Sequence, residues 1–272
     1  MTQPALSFRD VAVRAGEREI LRGVDLDVPV GKIVTLAGAN GAGKTTLLRA
    51  ASRVIATERG AIRVAGEDVA RLSRRRLAQQ IAVVPQDAAI SFPFRVEEVV
   101  LMGRSPHLGV FGFEAAADVE KAALAMETVG ITHLADRSLL ELSGGERQLV
   151  LVARAIAQAA RVLLLDEPTA HLDLRHRVAV LSVVKGFVAR GGSALVVSHD
   201  LTLAARQSHS VALLAAGRIL ASGAPADVLT PDTLREVFGV EADVLHDADG
   251  APVVVPRSIA QPPRGDRAGN AG

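Results

Sequence analysis

Gly38-Ala39-Asn40-Gly41-Ala42-Gly43-Lys44-Thr45 is the stretch whose reading decides the fold. The apolar run Ile33-Val34-Thr35-Leu36-Ala37 precedes it and Thr46-Leu47-Leu48-Arg49-Ala50 follows, so the order is strand, glycine-rich turn, helix. In that setting the pattern GxxxxGK[ST] predicts a phosphate site. Glycines let the backbone fold into a concave nest whose N–H groups point at a polyphosphate. The helix start adds unpaired N–H groups and its positive dipole end at the same place. Lys44 then reaches the β and γ phosphates, and the Thr45 hydroxyl ligates Mg²⁺. An ordinary strand-to-helix turn needs no such combination of glycines, lysine and hydroxyl. Gly38 to Thr46 are therefore expected to hold a nucleoside triphosphate.

The composition limits what else the chain does. Its 272 residues make one large α/β domain or two small ones, and 49% hydrophobic residues supply a sizeable core. Lys plus Arg number 31 against 30 for Asp plus Glu, a net charge of +1 that implies no polyanion-binding surface and no nucleic-acid partner. With no cysteine there are no disulfides and no thiolate metal ligands, which fits a reducing compartment. Met1-Thr2-Gln3-Pro4 does not open a signal peptide. No apolar run approaches the roughly 20 residues of a membrane span. The chain is expected to be soluble and to reach a membrane only through a partner.

Outward from the phosphate stretch, Leu6 to Val13 and Glu19 to Val28 alternate as half-buried strands around the turn Ala15-Gly16-Glu17. Ile33 to Ala37 reads as a central parallel strand, with Ala61 to Val64 and Ile81 to Val84 as further short strands. After Gln86 the pattern turns helical: Val96 to Met102, then Glu114 to Val129 with Val119, Ala122, Ala123, Met126 and Val129 on one face. Ser91-Phe92-Pro93-Phe94 and Ser105-Pro106-His107 read as loops. The α/β pattern resumes with a strand at Val162 to Leu165, a helix at Arg175 to Val188, a strand at Ala194 to Val197 and a hairpin over Ser210–Leu214 and Arg218–Ala221. Thr230 to Phe238 reads as a helix with Thr230 or Asp232 as its cap. The expected organisation is one nucleotide-binding domain over residues 1–255, a helical subdomain inserted at about 87–160, and a disordered tail over 256–272.

Two further motifs bear on chemistry. The run Val162 to Leu165 ends in Asp166-Glu167-Pro168. A carboxylate at the tip of a buried strand beside a phosphate loop holds the Mg²⁺ shell, and a second one after it orients or deprotonates an attacking water. Asp166 is thus a metal candidate and Glu167 a catalytic one. Leu142-Ser143-Gly144-Gly145-Glu146 precedes the helical run Leu149 to Ala160 and repeats the first device, a hydroxyl and glycines at a helix start. One γ-phosphate does not need two such surfaces within one chain. A symmetric dimer in which Ser143, Gly144, Gly145 and Glu146 close on the other copy's nucleotide resolves the surplus.

The order and spacing of these motifs resemble the ATP-binding cassette family, from about Leu6 to Val240. The resemblance implies a P-loop NTPase core, a mixed sheet flanked by helices with antiparallel N-terminal strands, and an inserted α-helical subdomain. It implies ATP hydrolysis with Mg²⁺. Gln86 matches the glutamine that senses Mg²⁺ and the water, and so joins the catalytic and metal sets; His199 matches the histidine that contacts the γ-phosphate; Asp173, in Ala170-His171-Leu172-Asp173, matches the loop that crosses the dimer interface. Alone, Gln86 would be a solvated loop residue and His199 a strand-end histidine; His171 is given no chemistry. The seven histidines form no compact ligand cluster in sequence. One departure concerns the base: the family stacks adenine on an aromatic near Val13 to Gly16, where Arg14 stands here and Phe8, the nearest aromatic, reads as core. Arg14 is expected to lay its guanidinium plane on the base.

The segment Ser91 to His107, with its Phe92-Pro93-Phe94 opening and Gly103-Arg104-Ser105-Pro106-His107 close, is similar to the iron-chelate and cobalamin importer branch, and most to hemin importers. That resemblance implies a homodimer seated peripherally on integral-membrane permease subunits at the cytoplasmic face, with a periplasmic or surface substrate-binding protein acting indirectly. Siderophore and cobalamin remain alternative cargoes. A soluble cassette scaffold, as in iron–sulfur cluster assembly, is the rival; DNA-repair or translation cassettes carry coiled coils, zinc ligands or tandem cassettes not found here.

Overall fold

In the computed structural model, which describes residues 3–86, 92–109 and 113–260, an antiparallel hairpin of β1 (Leu6–Ala15) and β2 (Arg18–Val28) comes first. β3 (Ile33–Ala37) follows, buried along its whole length, and the glycine-rich turn leads into α1 (Lys44–Ala51). β4 (Arg59–Val64) returns to β1, with the short β5 (Glu67–Asp68) outside it. After α2 (Arg74–Gln80) and β6 (Ile81–Val84) come three helices, α3 (Val96–Leu101), α4 (Ala116–Val129) and α5 (Gly144–Ala157). β7 (Val162–Asp166), α6 (Leu174–Ala189), β8 (Ser193–Val197), α7 (Leu201–Gln207), β9 (Ser210–Ala215) and β10 (Arg218–Gly223) complete the α/β part. Last are α8 (Pro225–Val228), α9 (Pro231–Phe238) and a hairpin of β11 (Val240–His246) with β12 (Pro252–Ile259).

Strand order in the main sheet is β10-β9-β3-β8-β7-β6, parallel except for β10. The hairpin joins β4 and β5 in a second, antiparallel sheet. This is the expected mixed α/β architecture. Alternate residues of the parallel strands feed two cores. Leu163, Leu165, Ala194 and Val196 pack with α3, α4, α5 and α6, while Val162, Leu164, Leu195, Val197, Val34 and Leu36 pack with α1 and the N-terminal sheet. Continuous apolar runs in these strands follow from that two-sided burial.

Register fixes where the loops emerge. Val197 of β8 lies opposite both Leu36 of β3 and Asp166 of β7, and Val84 of β6 lies opposite Leu165. The chain therefore leaves β3, β6, β7 and β8 at one edge of the sheet. Loops at the carboxyl ends of parallel strands are where such folds place ligands.

The structure corrects several expectations. On α4, Ala122, Met126 and Val129 are buried as expected, but Val119 is 53% exposed and Ala123 is exposed too. Asp118 and Ala125 take their places. The helix is rolled toward Asp118 because that carboxylate accepts from Arg104 Nε at 3.0 Å, and Arg104, 2% exposed, also donates to the Ala157 carbonyl at 2.7 Å. Ser105-Pro106-His107 belongs to a 3-10 helix, Met102–His107, rather than a loop. Pro256 to Ile259, expected as the start of a disordered tail, completes β12; Pro256 is tolerated because it pairs with Ala242 at a register shift in a two-stranded ribbon. Residues 261–272, and Ser91 of the expected loop, lie outside the described residues. The short α2 and α7 were not legible as helices because each buries only one or two side chains. Thr230 is the cap of α9, with Pro231 in its first turn.

Replacing Asp118 by Ala leaves the Arg104 guanidinium buried without its carboxylate, and the urea midpoint should fall clearly. Val119→Ser, one residue along, should stay within about 0.5 kcal/mol of wild type. Equal losses in the two variants would contradict the orientation of α4.

Candidate functional site

Gly38 follows β3 directly, and a Cβ there would sit 2.1 Å from the Leu214 carbonyl oxygen, so only glycine lets the chain turn so close to β9. Gly43 has φ +108°, in the left-handed region, with Leu21 Cδ2 only 2.8 Å from the place a Cβ would occupy. As the residue capping α1 it offers no side-chain acceptor, so the first N–H groups of α1 are left for an anion. Lys44 is buried and folds back onto the turn, its Nζ donating to the carbonyls of Gly38 at 2.8 Å and Ala39 at 3.0 Å. Burial pushes its pKa down, and the negative charges of Glu167 and Asp166 act in the opposite sense.

Asp166 ends β7 and is buried. Burial raises its pKa; the hydrogen bond from the Thr45 side chain opposes that, and neighbouring Glu167 adds to it. Its Oδ1 finds no hydrogen-bond partner among the described residues. A buried carboxylate oxygen left unmet beside a threonine hydroxyl suits a hard cation, which takes oxygen ligands. Among the described residues no group of three or more His, Cys, Asp or Glu is placed to hold a metal. A Mg²⁺ here would be completed by phosphates and water rather than by a protein cage.

Glu167 has φ +47°, unusual for a residue with a side chain. Such strain costs on the order of 1–3 kcal/mol and persists only where the surroundings hold it. Here its N–H donates to Val197 O at 3.1 Å and its own carbonyl accepts from Ala170 N at 3.1 Å. The twist aims the carboxylate back at the sheet edge. Gln86 Nε2 donates to Glu167 Oε2 at 3.4 Å, and His199 Nδ1 lies 3.3 Å from the same oxygen. The three expected catalytic residues, 81 and 32 positions apart in sequence from Gln86 to Glu167 to His199, thus meet at one atom.

A cavity of ≈ 350 Å³ lies over the turn, lined by Asn40, Gly41, Gly43 to Thr46 and Glu167, with Arg18 and Ile20 closing one side. Arg14 does not reach it; its Nε pairs with Glu58 Oε2 at 3.2 Å on the surface. Arg14 is expected on the base, but at the phosphate turn it is the start of β2, not the end of β1, that lies close, and the cation lining the cavity is Arg18. Nothing in strand alternation says which arm of a hairpin does so.

The second glycine motif sits elsewhere. Ser143 caps α5 in a closed box: its N–H and Oγ donate to Glu146 Oε2 at 2.8 and 2.7 Å, and Glu146 N donates back to Ser143 Oγ at 3.3 Å. Those bonds from Ser143 hold the Glu146 carboxyl below the usual range. Gly144 and Gly145 form the first turn. Ser143 and Glu146 line a separate cavity of ≈ 380 Å³ with Arg175 and His176, and no residue lines both cavities. Asp173 is the cap of α6, accepting from His176 N at 2.9 Å. Within one chain, then, Ser143 to Glu146 and Asp173 are not gathered at the phosphate cavity, whereas Gln86, Asp166, Glu167 and His199 approach it.

Comparison with known proteins follows the same lines. The family described as ABC transporter matches residues 21–170. The hemin import ATP-binding protein of Streptomyces coelicolor is 46% identical over 245 residues, covering 90% of this chain and 87% of that one. The cobalamin import ATP-binding protein of Halobacterium salinarum is 47% identical over 244 residues, and the chain spans 61% of its length. Among solved structures, a metal-chelate type ABC transporter in an inward-facing conformation superposes with a TM-score of 0.82 at 29% identity, over 94% of this chain and 98% of that one. The matched stretch takes in the phosphate turn, the α5 cap and the acidic end of β7, the same parts that the geometry singles out, and by these matches the chain belongs to the ABC transporter family.

Proposed function

We propose that this chain is the ATP-hydrolysing subunit of a membrane importer. The observation that carries the reading is the convergence of Gln86 and His199 on Glu167 beside a glycine turn that presents Lys44 and the open start of α1. ATP lies with its phosphates on Gly38 to Thr46 and its base toward Arg18 and Ile20. Thr45, Asp166 and Gln86 hold Mg²⁺, which when bound neutralises phosphate charge. Glu167 orients a water and takes its proton as the water oxygen bonds to the γ-phosphorus and the bond to the β–γ bridging oxygen breaks, releasing ADP and phosphate. Gln86 and His199 fix the carboxylate, and His199, whose side chain is 59% exposed, has room to turn toward the γ-phosphate.

The working unit is a homodimer. Since Ser143 to Glu146 and Asp173 stand apart from the phosphate cavity of their own chain, they serve the nucleotide of the other copy, and two ATP molecules hold two chains together. Residues 87–160 act as the inserted helical subdomain of a domain that runs on through β12 to Ile259.

No helix among the described residues is long and apolar enough to cross a membrane. Transport then needs permease subunits, and a cleft of ≈ 650 Å³ between α2, β6 and Met102–His107 is the seat for a permease helix. Its wall is firm: a Cβ on Gly103 would lie 2.2 Å from the Arg154 carbonyl, and Gln79 and Arg75 both donate to Pro106 O, at 2.8 and 2.9 Å. Val54, Leu77 and Met102 give it apolar surface, Arg53, Arg74 and Arg154 cationic surface. The chain works at the cytoplasmic face of the membrane, with a periplasmic or surface binding protein delivering cargo on the far side. Hemin is the favoured cargo, because the hemin import relatives of S. coelicolor, Gloeobacter violaceus and Myxococcus xanthus are 46, 42 and 40% identical over 87, 97 and 98% of their lengths. Cobalamin is the second reading, on the relative that is 47% identical.

Lys44→Ala should remove ATP turnover; turnover at the wild-type rate would refute the phosphate-turn assignment. Glu167→Gln should lower kcat by about 10²-fold or more while keeping nucleotide bound, and light scattering should then find a dimer at saturating Mg-ATP. Arg18→Ala should weaken ATP about two- to fivefold, the scale of a cation stacked on a base, with Arg14→Ala neutral; the reverse order would return the base to β1. Purification with its permease and uptake of hemin, siderophore and cobalamin into vesicles reads the cargo directly.

A further inference from the structure

His176 has no part in the roles above, yet its ring is wedged between two segments that do. Its Nδ1 lies 2.9 Å from each carboxylate oxygen of Asp173, and its backbone N–H donates to Asp173 Oδ1 at 2.9 Å as part of the α6 cap. On the other side the ring covers the backbone of Gly145. A Cβ on residue 145 would lie 2.5 Å from its Cγ and 2.7 Å from both Cδ2 and Nδ1. The side chain is only 23% exposed. Asp173 orients the ring, and the missing side chain at Gly145 makes the space for it.

We propose that His176 is a positioning residue that locks the Asp173 segment to the Ser143–Gly145 turn of the same chain, so that both meet the opposite nucleotide as one preformed edge. The inference rests on the paired-chain reading above. Two segments joined through one ring do not have to be ordered separately when the dimer closes, and that preorganisation favours the closed state. The joint has two requirements. Phenylalanine at 176 keeps the flat cover over Gly145 but donates nothing to Asp173; asparagine puts an amide N–H near the place of Nδ1 but gives up most of the cover. Aspartate-bound imidazole meets both.

The test uses the full chain in an E167Q background, where hydrolysis does not disperse the dimer. H176F should raise the dimer dissociation constant at saturating Mg-ATP roughly tenfold, the scale of one lost charge-assisted hydrogen bond, and lower kcat similarly when Glu167 is intact. Nucleotide affinity of the dilute single chain and the unfolding midpoint should not change. H176N should recover dimer affinity to within about threefold of the parent, because it restores the donor. A double variant, D173A with H176F, should be no worse than the poorer single one, since both remove the same bond. Dimer affinity and kcat unchanged in H176F would overturn the proposal, as would additive losses in the double variant, or a fall in unfolding midpoint and single-chain nucleotide affinity. An E167Q parent that stays monomeric would instead overturn the paired-chain reading itself.

Discussion

The parallel register of β6, β7, β8 and β3 is the constraint on which the site depends. Because Val197 stands level with both Leu36 and Asp166, and Val84 with Leu165, four chain segments turn out of the sheet side by side. Hydrogen bonding along the ladders sets that level, and two-sided burial of the strands prevents a slip, since a shift by one residue would carry the Leu163–Leu165 set into the wrong core. The phosphate turn, Gln86, Glu167 and His199 inherit their nearness from it. Even the strained backbone of Glu167 is held by the ladder, through its N–H on Val197 O.

The two glycine-bearing helix starts resolve the same problem in opposite ways. At α1 the capping residue is Gly43, which accepts nothing, so the orphan N–H groups stay open and the buried Lys44 amine stands by them. At α5 the serine and Glu146 close on each other, and the turn keeps its shape with no ligand. An open anion site on one surface and a self-satisfied turn on another are complementary halves. In the proposed dimer a second copy brings them together, and the energy for closure would be the difference in ATP affinity between the closed and open pairs, since ligand can shift an equilibrium by no more than that.

In the proposed importer, motion would reach a permease through rigid parts. Met102–His107 is tied to α5 by the buried Arg104, which bonds Asp118 of α4 and the Ala157 carbonyl together, and by His107, whose Nε2 lies 2.8 Å from Gln158 O. Gln158 in turn donates to the Ile81 carbonyl at 2.8 Å, at the start of β6, the strand whose end at Val84 leads to Gln86. A continuous set of short polar contacts therefore links the proposed permease seat to the strand that leads to Gln86. A buried guanidinium with two fixed partners has little freedom to rearrange, so it ties Met102–His107, α4 and the end of α5 together.

The sequence by itself determined the chemistry: the phosphate turn from Gly38 to Thr45, the acidic pair at Asp166 and Glu167, the capped turn at Ser143, and the alternation of apolar runs that makes the sheet. These are local signals, in which spacing along the chain equals spacing in space. Tertiary structure alone decided that Arg18 and not Arg14 faces the phosphate cavity, that α4 rolls toward Asp118 and exposes Val119, and that Pro256 to Ile259 form a strand. It also decided that the Ser143 turn and Asp173 stand apart from their own chain's phosphates. Each of these depends on a partner far along the chain: the Glu58 carboxylate for Arg14, the Arg104 guanidinium for Asp118, and Ala242 for Pro256. Side-chain pattern records which residues avoid water, whereas a long-range ion pair or strand pairing chooses among faces that the pattern leaves equal.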